Sequence, residues 1–75
     1  MPFAYLLINA QQYDPSLLKE LKRISGVQEA YPLYGVYDII VTTRAETMHS
    51  LKEIHDKIRK LDRVRQTLTM IAHEG

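Results

Sequence analysis

The sequence predicts an α+β domain with the element order βαββαβ, shaped to associate with a second copy of itself. Three observations carry this expectation. Four short runs rich in β-branched and aromatic residues alternate with two segments whose apolar residues recur at helical spacing. The chain has 75 residues, enough for a single domain over 1–75 but too few to be strongly stable alone. The two strands that this order places centrally are apolar on both faces.

The elements follow in order. Phe3 to Asn9 is an apolar run too short for a helix and reads as the first strand. Asp14-Pro15 starts a helix: Asp caps free N–H groups, and Pro suits the first helical position. Leu17, Leu18, Leu21 and Ile24 then form an apolar stripe, and Ser25-Gly26 is expected to end the helix. Val27 to Leu33 is the second strand. Pro32 has no N–H to give to a ladder, which places this strand at a sheet edge. Tyr34-Gly35 reads as a tight turn, and Val36 to Thr43 as the third strand. Thr47 caps a second helix with Met48, Leu51, Ile54, Ile58 and Leu61 on its inner side. Glu53 with Lys57 and Asp56 with Lys60 are spaced to pair on its outer side, and Asp62-Arg63 closes it. Val64 to His73 is the last strand.

Ile24-Ser25-Gly26-Val27-Gln28 and Leu61-Asp62-Arg63-Val64-Arg65 end the two halves alike, so each half reads as a βαβ unit. Right-handed crossovers put both helices on one face of an antiparallel four-stranded sheet. Strands 1 and 3 lie in the centre and strands 2 and 4 at the edges, the ferredoxin-like arrangement.

Side chains alternate along a strand. Phe3, Tyr5 and Leu7 therefore oppose Ala4, Leu6 and Ile8, and Tyr37, Ile39 and Val41 oppose Asp38, Ile40 and Thr42. Helices can cover only one face. A sheet facing water would be polar on the other, and these central strands are not. The bare face is expected to be an association surface, making the chain a homodimer or larger.

Composition excludes several classes. The formal charge of +1 supplies no field for nucleic acid or anionic lipid. No Cys is present, so disulfides and thiolate metal sites are out. No apolar run approaches the ~20 residues of a membrane span, and Met1 to Ile8 lacks the pattern of a signal peptide. A soluble, cytoplasmic protein is expected. No phosphate loop, nucleophile elbow or paired-histidine motif occurs. His49 and His55 are six residues apart on the second helix, poor co-ligands, and read as exposed or helix-flank residues; His73 reads as tail or sheet edge. No catalytic residue, metal site or cofactor is expected. The tyrosines at 5, 13, 31, 34 and 37 suit packing or an interface.

Leu33-Tyr34-Gly35-Val36-Tyr37-Asp38-Ile39-Ile40-Val41 stands apart, because it sets a carboxylate in an apolar strand just after a turn. A buried Asp is costly unless it is capped, paired or used. Two readings stay open. Asp38 accepts hydrogen bonds from turn N–H groups, or it helps gather an ammonium group near exposed backbone at Gly35.

The run Gly35 to Val41 resembles the Gly-x-Tyr/Phe-Asp-apolar signature of the C-terminal domain of the Lrp/AsnC family, a module that regulates amino-acid metabolism. Ile24-Ser25-Gly26-Val27-Gln28-Glu29-Ala30-Tyr31 resembles that family's entry to strand 2. Val64-Arg65-Gln66-Thr67-Leu68-Thr69-Met70-Ile71 resembles its strand 4. The resemblance implies sheet-to-sheet dimers in a barrel-like α/β sandwich, assembling into octamers or decamers. It implies a small amino-acid effector bound between dimers. Gly35 and Asp38 would meet its charged groups, Thr67 and Thr69 would lie nearby, and Tyr34, Val36, Tyr37 and Met70 would shape the pocket. Full-length members carry a helix-turn-helix ahead of this domain; here the sequence starts at the first strand. The expectation is a stand-alone sensing module that acts through full-length Lrp/AsnC regulators without touching DNA itself. Asp62-Arg63 departs from the Pro-Gly usual before strand 4, which bears on the turn and not on the pocket.

Two alternatives use the same architecture. A small dimeric α/β-barrel enzyme, of monooxygenase or isomerase type, needs a deep polar pocket under the helices, where this sequence puts Leu, Ile and Met. An ACT-like amino-acid sensor would pair its sheets side by side instead of face to face.

Overall fold

The computed structural model describes residues 1–72. The elements are β1 (Phe3–Ala10), α1 (Pro15–Lys22), β2 (Val27–Pro32), β3 (Ile39–Arg44), α2 (Met48–Arg59) and β4 (Val64–Ala72). They form one antiparallel sheet in the order β2-β3-β1-β4, so β1 and β3 are central as expected. His73, expected at the sheet edge or tail, lies outside the described residues.

Both helices begin where the caps predict. The Asp14 carboxylate accepts the Ser16 N–H at 2.7 Å, with Pro15 at the first helical position. Thr47 Oγ1 accepts the Ser50 N–H at 3.1 Å. The ends differ from expectation. α1 stops at Lys22 instead of running to Ser25-Gly26, and α2 stops at Arg59 instead of Asp62-Arg63. The cause is the same in both halves. Ile24 N–H donates to Leu21 O and Val27 N–H to Ile24 O, each at 3.1 Å. Leu61 N–H donates to Ile58 O at 3.1 Å and Val64 N–H to Leu61 O at 3.0 Å. These tight i to i+3 bonds turn the chain into the next strand while Ile24 and Leu61 still reach the core. Gly26 completes the first corner in a left-handed conformation, φ +96°, and a Cβ there would collide with Ile54.

The core lies between the helices and one sheet face. Ala4, Leu6 and Ile8 of β1, Ala30 of β2, and Ile39 and Val41 of β3 meet Leu17 and Leu21 of α1 and Ile54 and Ile58 of α2, all buried. Fully burying each Leu or Ile contributes about 1.5–3 kcal/mol. Met48, expected on the inner stripe of α2, is 37% exposed at the helix start. The outer pairs of α2 also differ: His49 sits on Glu53 at 2.8 Å, and Arg59 on Asp56 at 3.3 Å.

The hairpin between β2 and β3 departs most. β3 begins at Ile39, not Val36, and residues 33–38 form a loop in place of a two-residue turn. Pro32 pairs with Ile39, and Leu33 N–H donates to Asp38 O at 2.7 Å, which moves the apex to Gly35-Val36. Asp38 explains the opening. Its N–H goes to Ile8 O at 2.9 Å, and its carboxylate accepts the Ala10 N–H at 2.8 Å, so a side chain satisfies a β1 amide that a ladder carbonyl would otherwise serve.

Candidate functional site

Two regions are available to do something: the uncovered sheet face and the corner around Asp38. Residues directly opposite one another in a sheet share a face. Tyr5 stands between Thr42 and Met70, and Leu7 between Ile40 and Leu68; Tyr31 extends the Ile40 row onto β2. Phe3 and Tyr5 meet edge to face at 6.2 Å, and the Arg44 guanidinium lies 5.6 Å from the Phe3 ring centre. Tyr5 is 41% exposed, and Leu68 and Met70 each 45%. The apolar rows read from the sequence therefore reach across all four strands with no helix over them. Thr42 Oγ1 lies within this face, buried and without a hydrogen-bond partner among the described residues, an anomaly for a finished surface.

At the other region, Tyr13, Pro32, Leu33, Tyr34 and Asp38 line a cleft of about 370 Å³. The loop amide of Leu33 and the β1 amide of Ala10 both converge on Asp38. The loop amide meets the Asp38 backbone carbonyl, while the carboxylate accepts from β1 and not from the N–H groups of its own turn. Asp38 is half-buried and lines the cleft together with Tyr34. Gly35 has φ +140° and open space around it, while Tyr34 and Val36 project from the apex almost fully exposed and Tyr37 is half-buried.

The remaining expected residues are not all brought together. Thr67 and Thr69 stand opposite Ile8 and Leu6, on the helix side of the sheet. Met70 stands opposite Tyr5, on the uncovered side. Within one chain, Tyr34, Asp38 and the Leu33–Asp38 loop form one cluster, Thr67 and Thr69 a second, and Met70 belongs to the bare face. Arg59 joins the second cluster: Nε donates to Thr67 Oγ1 at 3.3 Å and a terminal nitrogen to Thr69 Oγ1 at 3.0 Å.

His55 corrects the reading of an exposed histidine. It is 2% exposed on the inner side of α2, with Nε2 2.9 Å from Thr43 Oγ1. Burial, helped by the nearby Arg59 charge and opposed by Asp56, holds its pKa below the ordinary histidine value. Leu51, Ile54, His55 and Ile58 are spaced i, i+3, i+4, i+7, and that spacing was the available signal. Arg63, like Arg59, is also unforeseen. It reaches back to the start of α1, meeting Asp14 at 2.6 Å, Ser16 at 2.8 Å and Glu20 at 3.1 Å. Hydrogen bonds from Ser16 and Arg63 bring the Asp14 carboxyl down to about 2. Among the described residues, no group of three or more His, Asp or Glu is placed to hold a metal, and no helix is long and apolar enough to cross a membrane.

Comparisons with known proteins bear on both regions. Residues 4–74 match the Lrp/AsnC ligand binding domain. The hypothetical protein PHS023 from Pyrococcus horikoshii superposes with a TM-score of 0.89 at 34% identity, covering 100% of this chain and 93% of that one. AsnC of E. coli superposes with a TM-score of 0.85 at 25% identity, over 99% of this chain and 52% of AsnC. The homocitrate synthase of Saccharolobus solfataricus is 37% identical over 59 residues, which is 79% of this chain; the chain spans 13% of the enzyme's length. The matching segment runs from β1 past the end of the described β4 and takes in both the bare sheet face and the Asp38 corner, so this chain belongs to the Lrp/AsnC ligand-binding domain family.

Proposed function

We propose that the chain is an effector-sensing and oligomerisation module that binds a small amino acid between dimers and acts on partner proteins, not on DNA. The observation that carries this reading is Asp38. Its carboxylate is held by a β1 amide at the wall of a cleft, beside a glycine apex whose backbone is open. That pairing of a fixed anion with open backbone suits an ammonium and a carboxylate on one small ligand.

The separation of clusters within one chain supports a site completed by another chain. Asp38 with the loop residues Tyr34, Gly35, Val36 and Tyr37 would supply one wall; Thr67 and Thr69, or Met70, would come from a neighbour. The uncovered rows of Phe3, Tyr5, Leu7, Ile40, Leu68 and Met70 support a second copy seated face to face, with rings of such dimers above it. Both helices are engaged in covering the sheet, and the net charge of +1 favours no phosphate backbone. The homocitrate synthase likeness supports protein partners that are enzymes as well as Lrp/AsnC regulators. A cytoplasmic setting fits such partners. The packed core of Leu, Ile and Val beneath the helices leaves little room for the pocket that a barrel enzyme would need.

Titration calorimetry against the twenty amino acids, with light-scattering mass before and after, tests the proposal. At least one amino acid is expected to bind and to shift or sharpen the oligomer. Asp38→Ala is expected to weaken that binding about tenfold or more. Silence from all twenty, with the mass unchanged, would reduce the chain to a scaffold.

A further inference from the structure

Arg59 is the last residue of α2, and its guanidinium lies across the helix side of β4, an edge strand. A guanidinium has five N–H donors. Among the described residues three are engaged: one on Thr67 Oγ1 at 3.3 Å, one on Thr69 Oγ1 at 3.0 Å, and one on Asp56 Oδ1 at 3.3 Å. Each threonine hydroxyl accepts from Arg59, so each keeps its own proton to donate elsewhere. The cluster thus offers two hydroxyl donors and two further N–H donors around one positive charge. Among the described residues its one anionic member is Asp56, whose side chain is 63% exposed and whose contact is long for a charge-assisted bond. Asp56 marks where a carboxylate oxygen can rest on Arg59, in a contact weak enough to be exchanged.

The surroundings carry the same sign. Residues 56–65 hold Lys57, Arg59, Lys60, Arg63 and Arg65 against Asp56 and Asp62, in a chain whose total is only +1. Of these, Arg63 is neutralised by Asp14 and Glu20. Among the described residues, Arg59 has only Asp56.

We propose that Arg59, Thr67 and Thr69 form a carboxylate-recognition site at the β4 edge, in which the ligand's carboxylate displaces Asp56 and takes the guanidinium fork together with both hydroxyls. The proposal deepens the amino-acid reading and rests on it only for the ligand being an amino acid; the donor array itself asks for a carboxylate. That carboxylate is either one on the side chain, with the α-carboxylate left to the Gly35 backbone, or the α-carboxylate itself, which then rests on Arg59 and not on Gly35; the two are separable by choice of ligand.

The test is calorimetry of the whole chain with L-glutamate, L-glutamine, L-isoglutamine and glutarate, repeated for Arg59→Gln, Arg59→Lys and Thr69→Val. Glutamine lacks the side-chain carboxylate, isoglutamine lacks the α-carboxylate, and glutarate lacks the ammonium. The expected result is that Arg59→Gln loses about tenfold or more in affinity for carboxylate ligands. Arg59→Lys should recover part of the loss by keeping charge without the fork, and Thr69→Val should lose several-fold. Loss on glutamine but not isoglutamine assigns the site to the α-carboxylate; the reverse assigns it to the side chain. Amino-acid binding that all three variants leave unchanged overturns the carboxylate site and spares the amino-acid reading. A thermal shift in Arg59→Gln with unchanged binding does the same, reducing Arg59 to a clamp between α2 and β4. Arg59-dependent binding of glutarate, with no amino acid bound, supports the carboxylate site and overturns the amino-acid reading. No binding by any of the four overturns the carboxylate site.

Discussion

The two faces of the sheet are made from neighbouring residues of the same strands, yet they do different work. On the helix side, Ala4, Leu6, Ile8, Ile39 and Val41 are fully enclosed. On the other side, Tyr5, Leu68 and Met70 are two-fifths exposed or more, and Tyr31 about half. A strand that was merely apolar would not show which side matters. The contrast shows that one set of residues holds the subunit together and the alternate set stays uncovered, where the proposed second copy would seat.

Substitutions one residue apart should separate these roles. Leu6→Ala is expected to cost about 2–5 kcal/mol, because it empties space between two helices and a sheet, and denaturant unfolding will read it. Leu68→Asp puts a charge on the uncovered face. It is expected to move the light-scattering mass towards monomer while far-UV circular dichroism keeps its shape. If Leu68→Asp left the mass unchanged, the face would have no assembly role.

His55 allows a finer probe of the enclosed side. Its folded pKa is lowered, so the native state resists a proton that the unfolded chain accepts below about 6.5. Its contribution is therefore complete above that pH and declines as pH falls from there towards the folded value. His55→Gln should flatten this part of the stability profile, and an unchanged profile would put the acid sensitivity elsewhere. The smallest effect is expected at the surface tether of Asp14 and Arg63. Asp14 is lowered to about 2, so its contribution is present above the ordinary carboxylate range and fades as pH falls through about 2. Arg63→Met should weaken that acid dependence and reduce the sensitivity of unfolding to salt.

Much of this was legible in the residues for identifiable reasons. Strand alternation has a period of two, so Leu6 and Leu7 could be assigned to opposite faces without coordinates. Thr67, Thr69 and Met70 obey the same rule, and alternation alone separates Met70 from the two threonines that the family resemblance groups with it. The hairpin was not legible, because a side-chain acceptor took over a backbone amide 28 residues away. Arg59 and Arg63 were hidden for a related reason: long cationic side chains choose partners by tertiary reach, which sequence spacing does not encode. His55 was hidden by its chemistry, since a histidine on an apolar stripe counts as polar until Thr43 is found beside it.

The apex of the β2–β3 loop has a consequence for how such domains diversify. A Cβ built at Gly35 meets no atom within 4 Å, and its neighbours Tyr34 and Val36 project into solvent. Apart from the backbone strain of replacing glycine at φ +140°, side chains there are answerable to whatever docks on the apex and hardly at all to the core. Selection could therefore change these side chains while leaving folding stability nearly untouched, the freedom that the proposed sensor would need if one scaffold is to serve many ligands.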